Sequence, residues 1–197
     1  MSLTPEIVQS TINLPECLIH LEKEAMLAGD DLRAIRSGEK LALSEFSCNL
    51  GEHIADWTNE FAYYKRDTTR IFNATQTVRI LYTTLLVGAA DKPELRENEE
   101  YIEGTHAAIQ IARYIANPDK FKCSDNLLAE LKNSAFEAID MLRTNICKSH
   151  DTNEYPTEKR EQDSRNIETM FLDLQVAIES APRFYAEIKA ESGRGAA

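Results

Sequence analysis

The 197-residue chain is short of basic residues, glycine, proline and cysteine, and each shortage removes a class of protein. Lysine and arginine number 22 against 33 aspartates and glutamates, a formal net charge of −11. That balance lacks the basic surface with which proteins hold phosphate backbones, so no nucleic-acid partner is expected. Seven glycines and six prolines exclude collagen-like and low-complexity polymers. The four cysteines, Cys17, Cys48, Cys123 and Cys147, are spread over the whole length and none forms a CxxC pair. Neither a dense disulfide framework nor the usual zinc spacing is present, and reduced thiols are expected, Cys17 in the core beside Leu21. The longest uncharged apolar run, ILYTTLLVGAA at 80–90, falls short of the roughly 18 residues that a membrane span needs. The N-terminal stretch carries Pro5 and Glu6 and no basic leader, which makes the cytoplasm the expected location. P-loop, dinucleotide-binding, HExxH and serine-hydrolase signatures are absent.

What remains is 43% hydrophobic, too much for a disordered acidic chain, and it is arranged at helical spacing. Cys17, Leu18, Leu21, Ala25, Ala28, Leu32 and Ile35 form one stripe over 16–36, with Gly29 and Asp30-Asp31 as a possible break into two helices. A second stripe over 41–65 runs through Leu43, Phe46, Leu50, Ile54, Trp57, Phe61 and Tyr64. Residues 68–88 carry only Arg70 and Arg79 as charges. A helix apolar nearly all round belongs at the centre of a bundle, and Gly88 is expected to end it. Pro93 opens the next helix, over 93–117, closed by Asn117-Pro118-Asp119. Ser124 caps a helix over 125–148, and a last stripe from Ile167 to Ile188 starts near Pro156-Thr157, with Pro182 kinking or restarting it.

The expected fold is all-α: a single bundle of five to seven mostly antiparallel helices around a central apolar helix. It occupies 1–191, with a possible subdivision near 92 and a disordered tail at 192–197.

Four constellations bear on function. Glu103 and His106 form a single ExxH, half of what a bundle di-iron site uses; no second copy exists, and Ile102, Ile109, Ala112 and Ala116 define a buried face that excludes Glu103. A solvated face with Arg96 pairing to Glu99 or Glu100 is expected instead. His53, near Asp56 and Glu60, has a carboxylate to orient it but no nucleophile at a suitable spacing. Asp30-Asp31 resembles the start of the DDxxD motif with which helical prenyl-transfer enzymes hold magnesium, but the third carboxylate is missing and Arg33 intrudes. The pair is expected at a helix N-terminus, opposing the dipole. Tyr63, Lys65, Arg66 and Arg70 mix the residue types enriched at protein interfaces, and they are the expected contact residues. The sequence thus points to a non-enzymatic, acidic protein-interaction module without cofactor or metal, an adaptor, chaperone-like subunit or assembly component, for example in secretion or trafficking. Its expected partner is a protein offering a basic or amphipathic helix. The alternative is a metal-binding bundle or enzyme using Glu103 and His106, or His53.

Overall fold

The structure is a computed structural model. It describes residues 14–38 and 67–149 and, further on, 165, 172, 174–176, 178–183, 185–186 and 189–190. Among these there are helices and no strand: α1 (Leu14–Ser37), α2 (Asp67–Asp91), α3 (Pro93–Arg96), α4 (Glu99–Ala116) and α5 (Asp125–Ser149). The described residues between 165 and 190 are helical as well. The architecture is an all-α bundle.

Apolar spacing sets each helix's inner face. Leu18, Leu21, Ala25, Ala28, Leu32 and Ile35 of α1 are all buried, and Cys17 at the stripe's start is only half-buried. On α4 the buried positions include Ile102, Ile109, Ala112 and Ala116, and on α5 Leu128, Ala135, Ala138, Ile139 and Leu142. Leu174, Ile178 and Ala181 of the C-terminal helical segment join the same core. Helix α2 is the apolar centre: from 75 to 89 only Thr84 is exposed. It packs on α1, α3, α4 and α5.

Local chemistry decides where helices stop. Gly38, at φ +75°, takes the left-handed conformation that favours glycine, and its N–H donates to the Ile35 carbonyl as α1 ends. Helix α2 runs through Gly88 to Asp91, correcting the expected stop. A Cβ at Gly88 would lie 2.8 Å from Leu142 Cδ1 and press on the Tyr101 hydroxyl, so this glycine serves close helix packing. The expected helix over 93–117 is two: α3 begins with Pro93 in its first turn, and the extended Asn98 caps α4 by accepting from the Tyr101 N–H at 2.9 Å. Ser124 Oγ likewise accepts from the Leu127 N–H at 3.2 Å at the start of α5. The helical stretch at 178–183 continues through Pro182 without a restart.

Pairing between helices gives their direction. Tyr101 donates to the Leu85 carbonyl at 2.8 Å and pins α4 to α2. Arg36 at the end of α1 meets Glu99 at the start of α4, and Glu22 near the other end meets Lys120 just beyond α4. Helices α1 and α4 are therefore antiparallel. Gly104 lets α5 approach α4 closely, since a Cβ there would lie 2.5 Å from the Ala138 methyl and against the Ser134 carbonyl.

Buried polar side chains include Thr75, Gln76, Thr83 and Thr105, and the interior also holds an ion pair. Arg79 of α2 and Glu24 of α1 form an ion pair at 2.5 Å, their side chains only 8% and 10% exposed. Burial is the largest influence on Glu24 and raises its pKa, against the opposing pull of Arg79. Burial also raises the Cys17 and Cys123 thiols, both free and half-buried, which disfavours the reactive thiolate.

Candidate functional site

The outer face of α4 carries Glu99, Glu103, His106, Gln110 and Arg113 at intervals of four and three, a spacing that keeps them in one stripe. This stripe lies along a cleft of about 710 Å³ between α1 and α5. On one wall, α1 presents Met26, Gly29, Asp30, Arg33 and Arg36; on the other, α5 presents Leu127, Glu130, Leu131 and Ser134. Arg113 lies fourteen positions after Glu99, so the stripe extends about 21 Å at 1.5 Å per residue. One end of the cleft is apolar: Met26 is 54% and Leu127 42% exposed. At the other end Arg36 holds both oxygens of Glu99, at 2.7 and 3.0 Å.

The cleft is charged, and its charges are partly matched. Arg33 pairs with Asp30 one helical turn away. Arg113 stacks its guanidinium over the Phe121 ring, 4.1 Å from the centroid. Glu103 and Glu130 add exposed carboxylates from the stripe and from the α5 wall. His106 lies 2.9 Å from the Gln110 amide nitrogen. Desolvation is the largest influence on the His106 imidazole, and together with the Arg113 and Arg33 guanidiniums it holds the pKa below the usual histidine value.

The structure brings some candidate residues into this cleft and leaves others apart. Glu103 and His106 both line it, and both are exposed. Among the described residues no group of three or more His, Cys, Asp and Glu side chains is placed to hold a metal ion. Glu99 pairs with Arg36 across to α1, which corrects one of the two pairings expected for Arg96, that with Glu99. Asp30 and Asp31 sit inside the continuous helix α1, not at a helix N-terminus. The apolar stripe on both sides of Gly29 carries the helix through what looked like a break. His53, Tyr63, Lys65 and Arg66 lie outside the described residues, as do the expected helix over 41–65 and the tail at 192–197; Arg70 belongs to the first turn of α2, its side chain outside the described part.

Sequence reasoning missed Met26, Gly29, Arg36 and Leu127. Two of them carried a signal: Met26 and Leu127 are large apolar residues adjacent to, but out of phase with, the buried stripes through Ala25 and Leu128. Single exposed apolar side chains are ordinary on a protein surface, and Ile19 and Leu27 are others here; what sets Met26 and Leu127 apart is that both line one cleft. Among the described residues no helix is long and apolar enough to cross a membrane. Comparison of the chain with protein-family models, with curated proteins and with solved structures finds no match.

Proposed function

We propose that this chain is a non-enzymatic protein-interaction module of the cytoplasm, an adaptor, chaperone-like subunit or assembly component that receives a segment of a partner protein in the α1/α4/α5 cleft. The observation that carries this reading is the apolar mouth of the cleft. Met26 and Leu127 present large apolar side chains to water on two facing helices, and the Arg36–Glu99 pair closes the far end. Two such side chains flanking one concave surface suit anchor residues from a partner, because burying them against apolar groups supplies the non-directional part of binding. The matched charges around them suit orientation and selectivity more than raw affinity. Among the described residues lining the cleft no nucleophile is paired with a base, and binding accounts for the ones present.

The test is to compare wild-type protein with the Met26→Glu, Leu127→Glu double variant. Both positions are already exposed, so circular dichroism and melting temperature are expected to stay near the wild-type values. Proteins captured by the wild type from a native lysate are expected to bind the variant at least tenfold more weakly, roughly 1.4 kcal/mol. An unchanged captured set removes the cleft as the contact surface.

A further inference from the structure

Gly29 sits in the middle of the 24-residue helix α1 and faces the cleft. Its place in the fold is unlike those of Gly88 and Gly104. A Cβ at either of those would collide with packed neighbours, whereas a Cβ at Gly29 would meet nothing within 4 Å. Nor does Gly29 adopt the left-handed backbone that favours glycine, unlike Gly38. A helix-interior glycine is unfavourable relative to alanine. Nothing within the described residues repays that disadvantage. The open space over Gly29 belongs to the cleft, so the missing side chain widens the α1 wall midway between Met26 and Arg33.

The shape and the charge of the cleft add to this. Helix α4 runs antiparallel to α1, as the Arg36–Glu99 and Glu22–Lys120 pairs show, and to α5, whose Ser134–Ala138 stretch meets Gly104 while Asn145 near its far end meets Glu94 just before α4; the two walls therefore run in the same direction on either side of the stripe. A cleft about 21 Å long bounded by helices offers the position of one more helix in a bundle. Of the three arginines lining the cleft, Arg33 pairs with Asp30, Arg36 pairs with Glu99 and Arg113 stacks on Phe121, against four lining carboxylates, Asp30, Glu99, Glu103 and Glu130. Glu103 and Glu130 bring exposed carboxylates to the middle of the same cleft, on a chain of net charge −11. That field favours positive side chains on an incoming segment and speeds its approach.

Resting on the docking role proposed above, we infer that the occupant is an amphipathic helix of about four turns with a basic flank, packing a large apolar side chain against Gly29. Its apolar residues, at intervals of three and four, cover Met26, Leu127 and Leu131, and its lysines or arginines meet Glu103 and Glu130. Gly29 is the specificity-determining position, because a side chain there takes up room that the occupant's side chain needs, more so the larger it is.

The test uses the full chain and three fluorescein-labelled synthetic 18-residue peptides with leucines at i, i+3, i+4 and i+7. They differ only in whether the remaining positions are lysine, glutamine or glutamate, and binding is read by anisotropy at physiological salt. The lysine peptide is expected to bind most tightly. Gly29→Leu is expected to weaken it at least tenfold, while the melting temperature rises by about 2–4 °C from the better helix former. Gly29→Ala serves as the smaller substitution, with the same sign of stability change and a smaller loss of binding. Glu103→Gln with Glu130→Gln is expected to weaken the lysine peptide severalfold and to leave the glutamine peptide unchanged. If the glutamine or glutamate peptide is the one whose binding depends on Gly29, the basic occupant is overturned and the cleft keeps its docking role. If no peptide is sensitive to Gly29→Leu, the helical occupant is overturned. In that case the Met26→Glu, Leu127→Glu capture experiment decides whether the docking role stands without it.

Discussion

Helix α1 carries charge on two faces, and the two behave differently. Toward α2 it presents Glu24 to Arg79, a pair removed almost wholly from water; toward the cleft it presents Arg36 to Glu99, with side chains 49% and 70% exposed. The bonds are of similar length, 2.5 and 2.7 Å, so distance does not separate them. Solvent does. In the interior each charge has lost its hydration, and the partner has become the main compensation for that loss. At the cleft both charges keep water, and the pair is worth about 0–1 kcal/mol. The first pair makes the α1/α2 interface intolerant of change. The second leaves the cleft free to exchange partners. One helix can therefore serve as a rigid inner wall and an adaptable outer surface.

The largest expected effect is at the interior. Arg79→Met leaves Glu24 buried without its guanidinium and is expected to cost about 3–5 kcal/mol in chemical denaturation. Glu24→Met added to that variant is expected to restore most of the loss, since two apolar side chains of similar size need no desolvation compensation. If the double variant is as unstable as the single, the cost lies in packing and not in the orphaned charge. The single variant also has a pH signature. The folded pKa of Glu24 is raised above its unfolded value, and losing Arg79 raises it further. Stability from the protonated form is present below the unfolded pKa and is lost as pH rises through the folded one. Arg79→Met is therefore expected to be more damaging at pH 8 than at pH 5.

Next in size is a test of whether Tyr63, Lys65, Arg66 and Arg70, expected from the sequence as contact residues, form a contact surface besides the proposed cleft. Tyr63→Ala with Arg66→Ala is expected to weaken binding of an identified partner more than tenfold, roughly 1.4 kcal/mol, and to leave stability within about 1 kcal/mol. Unchanged binding confines recognition to the cleft, and a clear loss of stability assigns Tyr63 to the core.

Smaller still is Glu99→Gln, which breaks the pair with Arg36 and is expected to change stability by less than about 1 kcal/mol, less again in high salt. A larger loss would mean that the exposed pair shares the character of the buried one. The smallest effect concerns His106. Its folded pKa lies below the unfolded value, so the unfolded chain takes up the proton first, and stability falls as pH drops below the unfolded value toward the folded one. His106→Gln is expected to flatten that part of the stability–pH curve and to leave it unchanged above neutrality.

Much of the fold was legible because the helices follow a local rule. Apolar residues every three or four positions choose the buried face, and Leu21, Ala25, Ala28, Leu32 and Ile35 obey it whatever neighbours arrive. The scarcity of charge over 68–88 read correctly as a central helix for the same reason. Boundaries were less legible. Gly88 carries the residue type of a helix stop, but its role is set by Leu142 and Tyr101, 54 and 13 positions away in the chain. Asn98 was overlooked as a cap because the apolar pattern continues across it, and only its bond to the Tyr101 N–H shows the break.

The candidate site was mostly illegible. Glu103 and His106 were singled out, but the cleft that holds them is made of three helices, and Met26, Gly29 and Leu127 acquire meaning only when α1 and α5 stand apart across α4. The amino-acid sequence by itself determined the class, the helical faces and the acidity, since these depend on composition and on neighbours within a turn. Tertiary structure decided which charges lost their water, which glycines were packed against and which was left open, and that two out-of-phase apolar side chains line one cleft. Each of those depends on groups distant in the chain coming within a few ångströms, and burial and Coulomb energies are set by that proximity and not by sequence spacing.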